Sequence, residues 1–234
     1  MKHIFTLFLT LSCLSISVGQ NNSKLGFMVS GGISHVSSLS NQSSIEFDNA
    51  PWINAGASLT YQLGLDEIQI GFSYNVYNRD VVDFGPQFGC DLQPNGQVDK
   101  KNSSIYSSQD RQFIGVPINY VIDLGNKDQK LGLVVGVEPR FMINQEGLFG
   151  VRECGIELGT QMPIELVVES TKTLFFTKLG IQYKMPVGQK LDIVFIPLIE
   201  IMLNEEDTNA SPTTTFLNTQ NRLINIGLSI GIKF

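Results

Sequence analysis

The stretch from Arg222 to Phe234 constrains the fold of this chain most strongly, because polar and apolar residues alternate along it without a break. Successive side chains of a β-strand point to opposite faces, so residues two positions apart share a face. The apolar face carries Ile224, Ile226, Leu228, Ile230, Ile232 and Phe234, and the opposite face carries Asn225, Gly227, Ser229, Gly231 and Lys233. The pattern predicts a strand with one apolar wall and one small, polar wall.

An aromatic residue, Phe234, ends this strand. A terminal strand of this kind resembles the last strand of bacterial outer-membrane β-barrels, where that strand serves as the insertion signal. The resemblance implies that barrel-insertion machinery is a partner of the chain and recognises Phe234. It also implies that further alternating strands precede this one.

Seven further runs with the same alternation precede the closing strand. They cover, in order, Leu25–His35, Trp52–Leu65, Ile68–Tyr77, Ile114–Ile122, Leu131–Phe141, Lys178–Met185 and Leu191–Ile201. Short segments of alternating hydrophobicity, separated by turn residues, are the sequence signature of barrel strands. The chain is therefore predicted to be all-β, with eight antiparallel strands.

The connections between the runs alternate in length. The long ones include Val82–Asp110 and Asn204–Asn221, and the short ones include Gly125–Gln129 and Pro186–Gln189. An up-and-down barrel with both termini in the periplasm has short periplasmic turns and long external loops. The predicted fold is thus an eight-stranded antiparallel up-and-down transmembrane β-barrel with short periplasmic turns and four long external loops. Pro117 and Pro197 lie inside runs, where each removes a donor from the ladder, so we expect bulges or incomplete pairing there.

The composition decides whether lipid or water surrounds this barrel. Charged residues make up only 16% of the chain. A soluble, lipocalin-like barrel would place its apolar face inside. The polar faces consist mostly of Gly, Ser, Asn, Gln and Thr, which suit a narrow interior better than a solvated exterior. We therefore expect outer-membrane lipid around the barrel, and the net charge of −6 argues against nucleic acid as a partner.

The N-terminal segment Met1–Gly19 has the features of a secretory signal peptide. A short basic start and an apolar core lead to the small residues Ser17-Val18-Gly19. The barrel domain would then cover residues 20–234, in the bacterial cell outer membrane. A lipoprotein is the alternative because of Cys13, but Thr10-Leu11-Ser12 matches the usual lipoprotein box poorly. Since the chain ends at the closing strand, we expect no periplasmic domain that binds the cell wall.

Several charged residues fall on the faces predicted to point into the lumen. They are Glu67, Arg79, Glu138, Arg140, Lys178, Lys184, Asp192, Glu200 and Lys233. If the turn after the sixth run centres near Gly188, Lys184 lies opposite Asp192 and forms a cross-strand ion pair. The two interpretations are a path for protons or ions and a plug of paired charges. We favour the plug, because eight strands leave room only for side chains.

The sequence offers little for catalysis. His35 has Ser37, Ser38 and Asp48 nearby in the chain, but a triad needs these groups within hydrogen-bond reach, which the spacing does not show. No His/Cys cluster suggests a metal site, and no glycine-rich phosphate loop suggests a cofactor. We therefore expect neither enzymatic activity nor a cofactor. We interpret five aromatic residues as part of the aromatic belts at the membrane interfaces or of the barrel wall. They are Trp52, Tyr61, Tyr74, Tyr120 and Tyr183.

Two cysteines remain after the signal peptide. Cys90 lies in the second predicted external loop and Cys154 in the third, at one end of the barrel. Cysteines of exported proteins usually pair, so a disulfide between Cys90 and Cys154 is predicted, with two free thiols as the alternative. The bond would tie two loops together over the outer mouth.

The stretch from Phe113 to Phe141 carries a family resemblance. Its Phe-Ile-Gly-Val-Pro-Ile-Asn-Tyr strand, short turn and Lys-Leu-Gly-Leu-Val-Val-Gly-Val-Glu-Pro-Arg strand resemble the middle of porin-family outer-membrane β-barrel domains of the PorT-like group. The resemblance implies the barrel fold and the outer-membrane location, and it brings no catalytic residue. The family includes a secretion-system component.

These observations lead to one functional expectation and two alternatives. We expect a structural or interaction role, with a lumen filled by side chains and a protein partner at the external loops. The alternatives are a transporter or narrow pore for small or lipophilic solutes, and an accessory component of a protein secretion system.

Overall fold

The computed structural model describes residues 24–40, 45–49, 51–83, 104–125, 130–153, 156–157, 162–163, 168–170, 172–188, 191–210 and 219–234. The predicted signal peptide lies outside these ranges and stays a prediction. The described residues form fourteen strands: β1 Leu25–Ser40, β2 Ile45–Asn49, β3 Trp52–Leu63, β4 Asp66–Asp83, β5 Ser104–Gly115, β6 Ile118–Asp123, β7 Leu131–Glu153, β8 Ile156–Glu157, β9 Met162–Pro163, β10 Val168–Ser170, β11 Thr173–Val187, β12 Leu191–Met202, β13 Glu206–Ala210 and β14 Thr219–Lys233.

The strands close into a barrel of eight antiparallel wall strands. The wall runs β1, β3, β4, β5 with β6, β7, β11, β12 and β14, and β14 returns to pair with β1. The five short strands pair outside this ring. The predicted all-β, eight-stranded antiparallel barrel is therefore confirmed. The lengths of the external loops stay a prediction, because parts of those connections lie outside the described ranges.

Several strands extend beyond the predicted runs. The expectation of a loop over Val82–Asp110 is wrong at both ends, because β4 continues to Asp83 and β5 begins at Ser104. The expected loop Asn204–Asn221 likewise contains β13 and the start of β14. Apolar alternation marks only the part of a strand that faces lipid. Polar strand ends pair just as well but leave no such signal.

The two prolines interrupt the wall as expected. Pro117 separates β5 from β6, although its carbonyl still accepts a hydrogen bond from Gly71 N at 3.0 Å. Pro197 pairs with Leu228 on β14. On its other side, β12 pairs with β11. That pairing stops at Leu198, before Pro197, and resumes at Phe195.

The apolar face points outward. Large apolar side chains are exposed on every wall strand, among them Ile33, Ile53, Phe72, Ile114, Val137, Leu179, Ile199 and Ile230. The polar face points inward, so the lipocalin-like arrangement does not apply. An exposed apolar surface around a closed barrel is what a lipid bilayer requires. No helix in the described part of the chain is long and apolar enough to cross a membrane.

Two apolar clusters occupy the lumen. We call the end that carries Leu25, Phe234 and the turns at Gly64 and Gly188 the terminal end, and the opposite end the far end. A far-end apolar cluster contains Val36, Trp52, Tyr77, Phe113, Leu174, Phe176, Met202 and Leu223. A smaller apolar ring nearer the terminal end contains Met28, Val121, Val134, Val194 and Ile196.

The prediction that Trp52 is a belt or wall residue is wrong. Trp52 is only 2% exposed and lies inside the lumen, whereas Tyr61, Tyr74, Tyr120 and Tyr183 are exposed. The alternation itself explains the difference, because Trp52 is two residues from Asn54 and shares its inward face.

Candidate functional site

Four charged side chains meet in the lumen, and we call them the buried tetrad: Glu138, Arg140, Lys178 and Glu200. Arg140 donates from Nε to Glu138 Oε1 at 2.9 Å and from Nη2 to Glu200 Oε1 at 2.7 Å. Lys178 Nζ lies 3.1 Å from Glu200 Oε1 and also contacts Glu138. Strand β7 supplies two members two residues apart, and Lys178 on β11 stands directly opposite Glu200 on β12. Strand alternation and register thus bring two cations and two anions together.

Neutral side chains complete the hydrogen bonds of the two carboxylates. Ser73 Oγ donates to Glu138 Oε1 at 2.5 Å, and Asn225 Nδ2 donates to Glu200 Oε2 at 2.9 Å. A Cβ atom at Gly115 would overlap Glu138 Oε1, so this glycine makes room for the carboxylate. Buried charges are tolerated when they are paired and hydrogen-bonded. The two carboxylates of the tetrad meet both conditions.

Aromatic rings cover the tetrad on its far-end side. The guanidinium of Arg140 lies 4.8 Å from the ring centroid of Trp52 and 4.3 Å from that of Phe176. Trp52 also packs edge-on against Tyr77, with ring centroids 4.7 Å apart. A cation over an aromatic face is attracted by the ring quadrupole, more strongly where water is excluded. The rings therefore hold Arg140 in place and exclude water above it.

A second group of charges lies nearer the terminal end, and we call it the terminal cluster: Glu67, Lys184 and Lys233. Lys184 Nζ and Lys233 Nζ both donate to Glu67 Oε2, at 2.8 and 2.5 Å. The other oxygen, Glu67 Oε1, accepts a hydrogen bond from Gln69 Nε2 at 2.9 Å. Two ammonium groups therefore share one carboxylate oxygen.

The expected pair between Lys184 and Asp192 is wrong. Lys184 stands opposite Val194, and Asp192 stands opposite Pro186, so the hairpin is centred one residue later than Gly188. Asp192 instead contacts Lys130 Nζ at 3.2 Å, and sequence analysis had not named Lys130. A shift of one residue in the turn moves each cross-strand partner by two positions.

The remaining candidate residues are placed as follows. The side chain of Arg79 and both cysteines, Cys90 and Cys154, lie outside what the structure describes. His35 is exposed, on the same face of β1 as Ile33. Phe234 is exposed too, and its backbone N–H donates to Phe27 O at 2.8 Å. Gln69 and the other neutral partners have no distinguishing signal in the sequence, because neutral polar residues occupy inward positions in most of the runs.

Two cavities lie along the lumen. A chamber of about 70 Å³ borders the buried tetrad, with Ser73, Asn75, Asn119 and Ser229 among its polar lining. A larger cavity of about 590 Å³ lies at the terminal end and is lined by all three members of the terminal cluster. Among the described residues, no group of three or more His, Cys, Asp or Glu side chains is arranged to hold a metal ion.

Comparison with known proteins adds to this picture. No protein-family model matches the sequence, and no characterised protein matches it by sequence. Among solved structures, a major outer membrane protein from Thermus thermophilus superposes with a TM-score of 0.51 at 11% identity, over 90% of this chain and 99% of that one. This chain has the fold of an outer-membrane β-barrel protein.

Two further solved structures are less similar. Neisserial surface protein A has a TM-score of 0.39 at 11% identity, covering 88% of this chain and 95% of that one. Ail, the attachment invasion locus protein of Yersinia pestis, has a TM-score of 0.41 at 11% identity, covering 89% of this chain and 98% of that one. The fold, together with the apolar outer surface, indicates a location in the bacterial outer membrane.

Proposed function

We propose that this protein is an outer-membrane barrel with a structural or interaction role, and that its lumen does not conduct ions. The supporting observation is the burial of Arg140 in the far half of the lumen. Its side chain is 1% exposed and lies beneath the rings of Trp52 and Phe176. An ion would have to cross both the paired charges of the buried tetrad and the far-end apolar cluster. The interior of an eight-stranded barrel is just wide enough for side chains to fill, and the chamber beside the buried tetrad measures only about 70 Å³.

Planar-bilayer recording of the refolded protein tests this proposal. We expect no single-channel conductance above the lipid background. A heat-modifiable shift on gel electrophoresis shows in parallel that the inserted protein is folded. Reproducible conductance steps from folded protein would contradict the proposal and favour the alternative, a transporter or narrow pore for small or lipophilic solutes.

The interaction role is assigned to the external loops, whose partner would be a protein. The resemblance of Phe113–Phe141 to the PorT-like group of porin-family barrels supports a second candidate, an accessory component of a protein secretion system. Deletion of the gene separates the two candidates. Loss of secreted cargo from an otherwise intact outer membrane would favour the secretion role, whereas normal secretion would exclude it.

Catalysis is not part of this proposal. The only histidine outside the predicted signal peptide, His35, is exposed on the outward face of β1. A histidine acts as a general base only when it lies within hydrogen-bond reach of the proton that it abstracts. We infer that the protein is not an enzyme, and hydrolysis of a panel of lipid and peptide esters by purified barrel would contradict this.

We also infer that barrel-insertion machinery recognises Phe234. Its ring is exposed and lies 6.5 Å from that of Phe27, centroid to centroid, at the seam between β14 and β1. Phe234→Ala should lower the amount of barrel in the outer membrane while barely changing the unfolding of barrel refolded in detergent. Unchanged membrane levels in this variant would contradict the recognition role.

The disulfide between Cys90 and Cys154 stays a prediction. Mass spectrometry of unreduced, folded protein tests it directly. A cross-linked peptide containing both residues is expected, whereas alkylation of both thiols without prior reduction would show that they are free.

A further inference from the structure

The cavity at the terminal end has a mouth and a closed inner end. Its mouth is formed by residues at the hairpins, including the exposed Leu65 and Lys130 and the half-buried Gly125. Its inner end is formed by Glu67, Lys184 and Lys233, beside the amide of Gln182. The volume of about 590 Å³ is within the range of cavities that bind small molecules.

An apolar ring separates this cavity from the rest of the lumen. Val121 lines the cavity and packs with Met28, Val134 and Val194. Beyond the ring lies the smaller chamber that borders the buried tetrad. The terminal cavity is therefore a blind pocket, and a ligand in it would enter and leave through the same mouth.

The inner end of the pocket carries one excess positive charge. Two ammonium groups face a single carboxylate, since Lys184 and Lys233 both donate to Glu67 Oε2. Within the described residues, Glu67 is the only hydrogen-bond acceptor of either lysine. An ammonium group has three N–H donors, so each lysine retains donors for another acceptor.

The lysines are accessible from the pocket, although Glu67 is not. The side chains of Lys184 and Lys233 are 19% and 15% exposed, and that of Glu67 is 2% exposed. The rim instead carries one excess negative charge, because Asp192 contacts Lys130 at 3.2 Å, whereas Asp123 accepts a hydrogen bond from the uncharged backbone N–H of Gly125 at 2.7 Å. The electrostatic attraction for an anion is therefore greatest at the inner end.

We propose that this pocket binds a small oxyanion, a phosphate or carboxylate group, between Lys184 and Lys233. Lysine is a common phosphate ligand because its ammonium group acts as a compact point charge with several donors. Gln182 also lines the pocket, and its Oε1 accepts a hydrogen bond from Gln69 Nε2 at 3.0 Å. Glu67 holds both ammonium groups in place and competes with the ligand for them.

This competition predicts an unusual effect of substitution. Glu67→Gln removes the carboxylate that both ammonium groups share, so phosphate should bind about tenfold more tightly. Lys184→Met leaves Glu67 paired with Lys233 alone, so the inner end of the pocket becomes neutral and phosphate should bind at least about tenfold more weakly. A purely structural role for the three residues would not produce opposite changes.

Isothermal titration of refolded protein in detergent micelles with inorganic phosphate measures both effects. Lys172→Met is the matched control, because Lys172 is an exposed lysine at the far end. It should bind phosphate as the wild type does. Heat-modifiable migration of each variant shows that it is folded before titration. A parallel titration with short-chain phosphatidylglycerol distinguishes a lipid headgroup from a free ion as the source of the oxyanion.

Three results would overturn the proposal. They are absence of saturable phosphate binding to the wild type, unchanged or weaker binding to Glu67→Gln, and unchanged binding to Lys184→Met. If Glu67→Gln does not fold, the comparison of Lys184→Met with Lys172→Met decides alone. Preference for phosphatidylglycerol over phosphate would support the site and assign its ligand to the lipid.

Discussion

The two charged groups in the lumen differ in charge balance and in access to water. The buried tetrad has two cations and two anions, and its carboxylates are 0% and 3% exposed. The terminal cluster has two cations and one anion, and its lysines line a cavity of about 590 Å³. The balanced group lies beneath aromatic rings, whereas the unbalanced group lies at the inner end of a cavity that opens at the terminal end.

This difference has a physical cause. A charge without a partner is very costly where water is excluded, because the desolvation penalty is not recovered by attraction. An excess charge beside a cavity keeps part of its hydration, so imbalance costs less there. We conclude that the buried tetrad has to remain complete, because loss of one member leaves a buried charge without a partner, and that the terminal cluster retains capacity to bind a ligand.

The largest effect is expected at the buried tetrad. Arg140→Met leaves Glu138 and Glu200 with Lys178 as their only cation, so one buried negative charge has no partner. The free energy of unfolding should fall by about 3–5 kcal/mol. Urea unfolding followed by the fluorescence of Trp52, the single tryptophan of the chain, measures this change.

The control for this variant is an exposed arginine in an ion pair. Arg222 contacts Glu205 at 3.1 Å, and its side chain is 57% exposed. Arg222→Met should cost less than about 1 kcal/mol, because exposed ion pairs contribute little. Equal losses in Arg140→Met and Arg222→Met would contradict the view that the buried tetrad has to remain complete.

The next largest effect is expected on the outer face of the barrel, where a charged side chain would meet lipid. Ile230 is exposed in the middle of the outer face of β14. Ile230→Lys places a cation in lipid and should cost about 2–4 kcal/mol. Unfolding from lipid vesicles measures the loss, and the same variant in detergent serves as its control. A lysine tolerated in vesicles would show that this face does not meet lipid.

A smaller loss is expected when the terminal cluster loses its anion. Glu67→Gln leaves Lys184 and Lys233 facing each other without the carboxylate that they share. The repulsion is moderated by the water of the cavity, so we expect a loss of about 1–3 kcal/mol. Added salt should reduce this loss, because mobile ions screen charges that water can reach. Urea unfolding at low and high salt measures it, and a loss that is independent of salt would argue against access from the cavity.

The smallest effect is expected when the terminal cluster loses one cation. Lys233→Met leaves Glu67 paired with Lys184 and hydrogen-bonded to Gln69, so the cluster becomes neutral. The free energy of unfolding of this variant should stay within about 1 kcal/mol of the wild type. A loss as large as that of Arg140→Met would remove the distinction between the two groups. The unfolding midpoint in urea is again the measurement.

Local periodicity was sufficient to predict the eight wall strands, but it did not predict where those strands end. The alternation of Ile224 to Phe234 and of the seven other runs predicted the eight strands and their outward faces, because the side-chain period of a strand depends only on local geometry. It missed β5 before Asp110, because polar residues in that segment are not required to face lipid. The inward position of Trp52 could have been predicted from its parity with Asn54.

The sequence by itself determined that eight alternating strands close into a barrel with an apolar outside, and that Glu138, Arg140, Lys178 and Glu200 face inward. Only the tertiary structure decided which charges meet, because cross-strand partners depend on the register of each hairpin and cross-lumen partners depend on the closure of the whole barrel. Lys184 illustrates both points: its partner is Glu67, 117 positions away in the chain, and the predicted partner Asp192 binds Lys130 instead. The terminal cavity has the same origin, since residues from several strands enclose it only after the barrel closes.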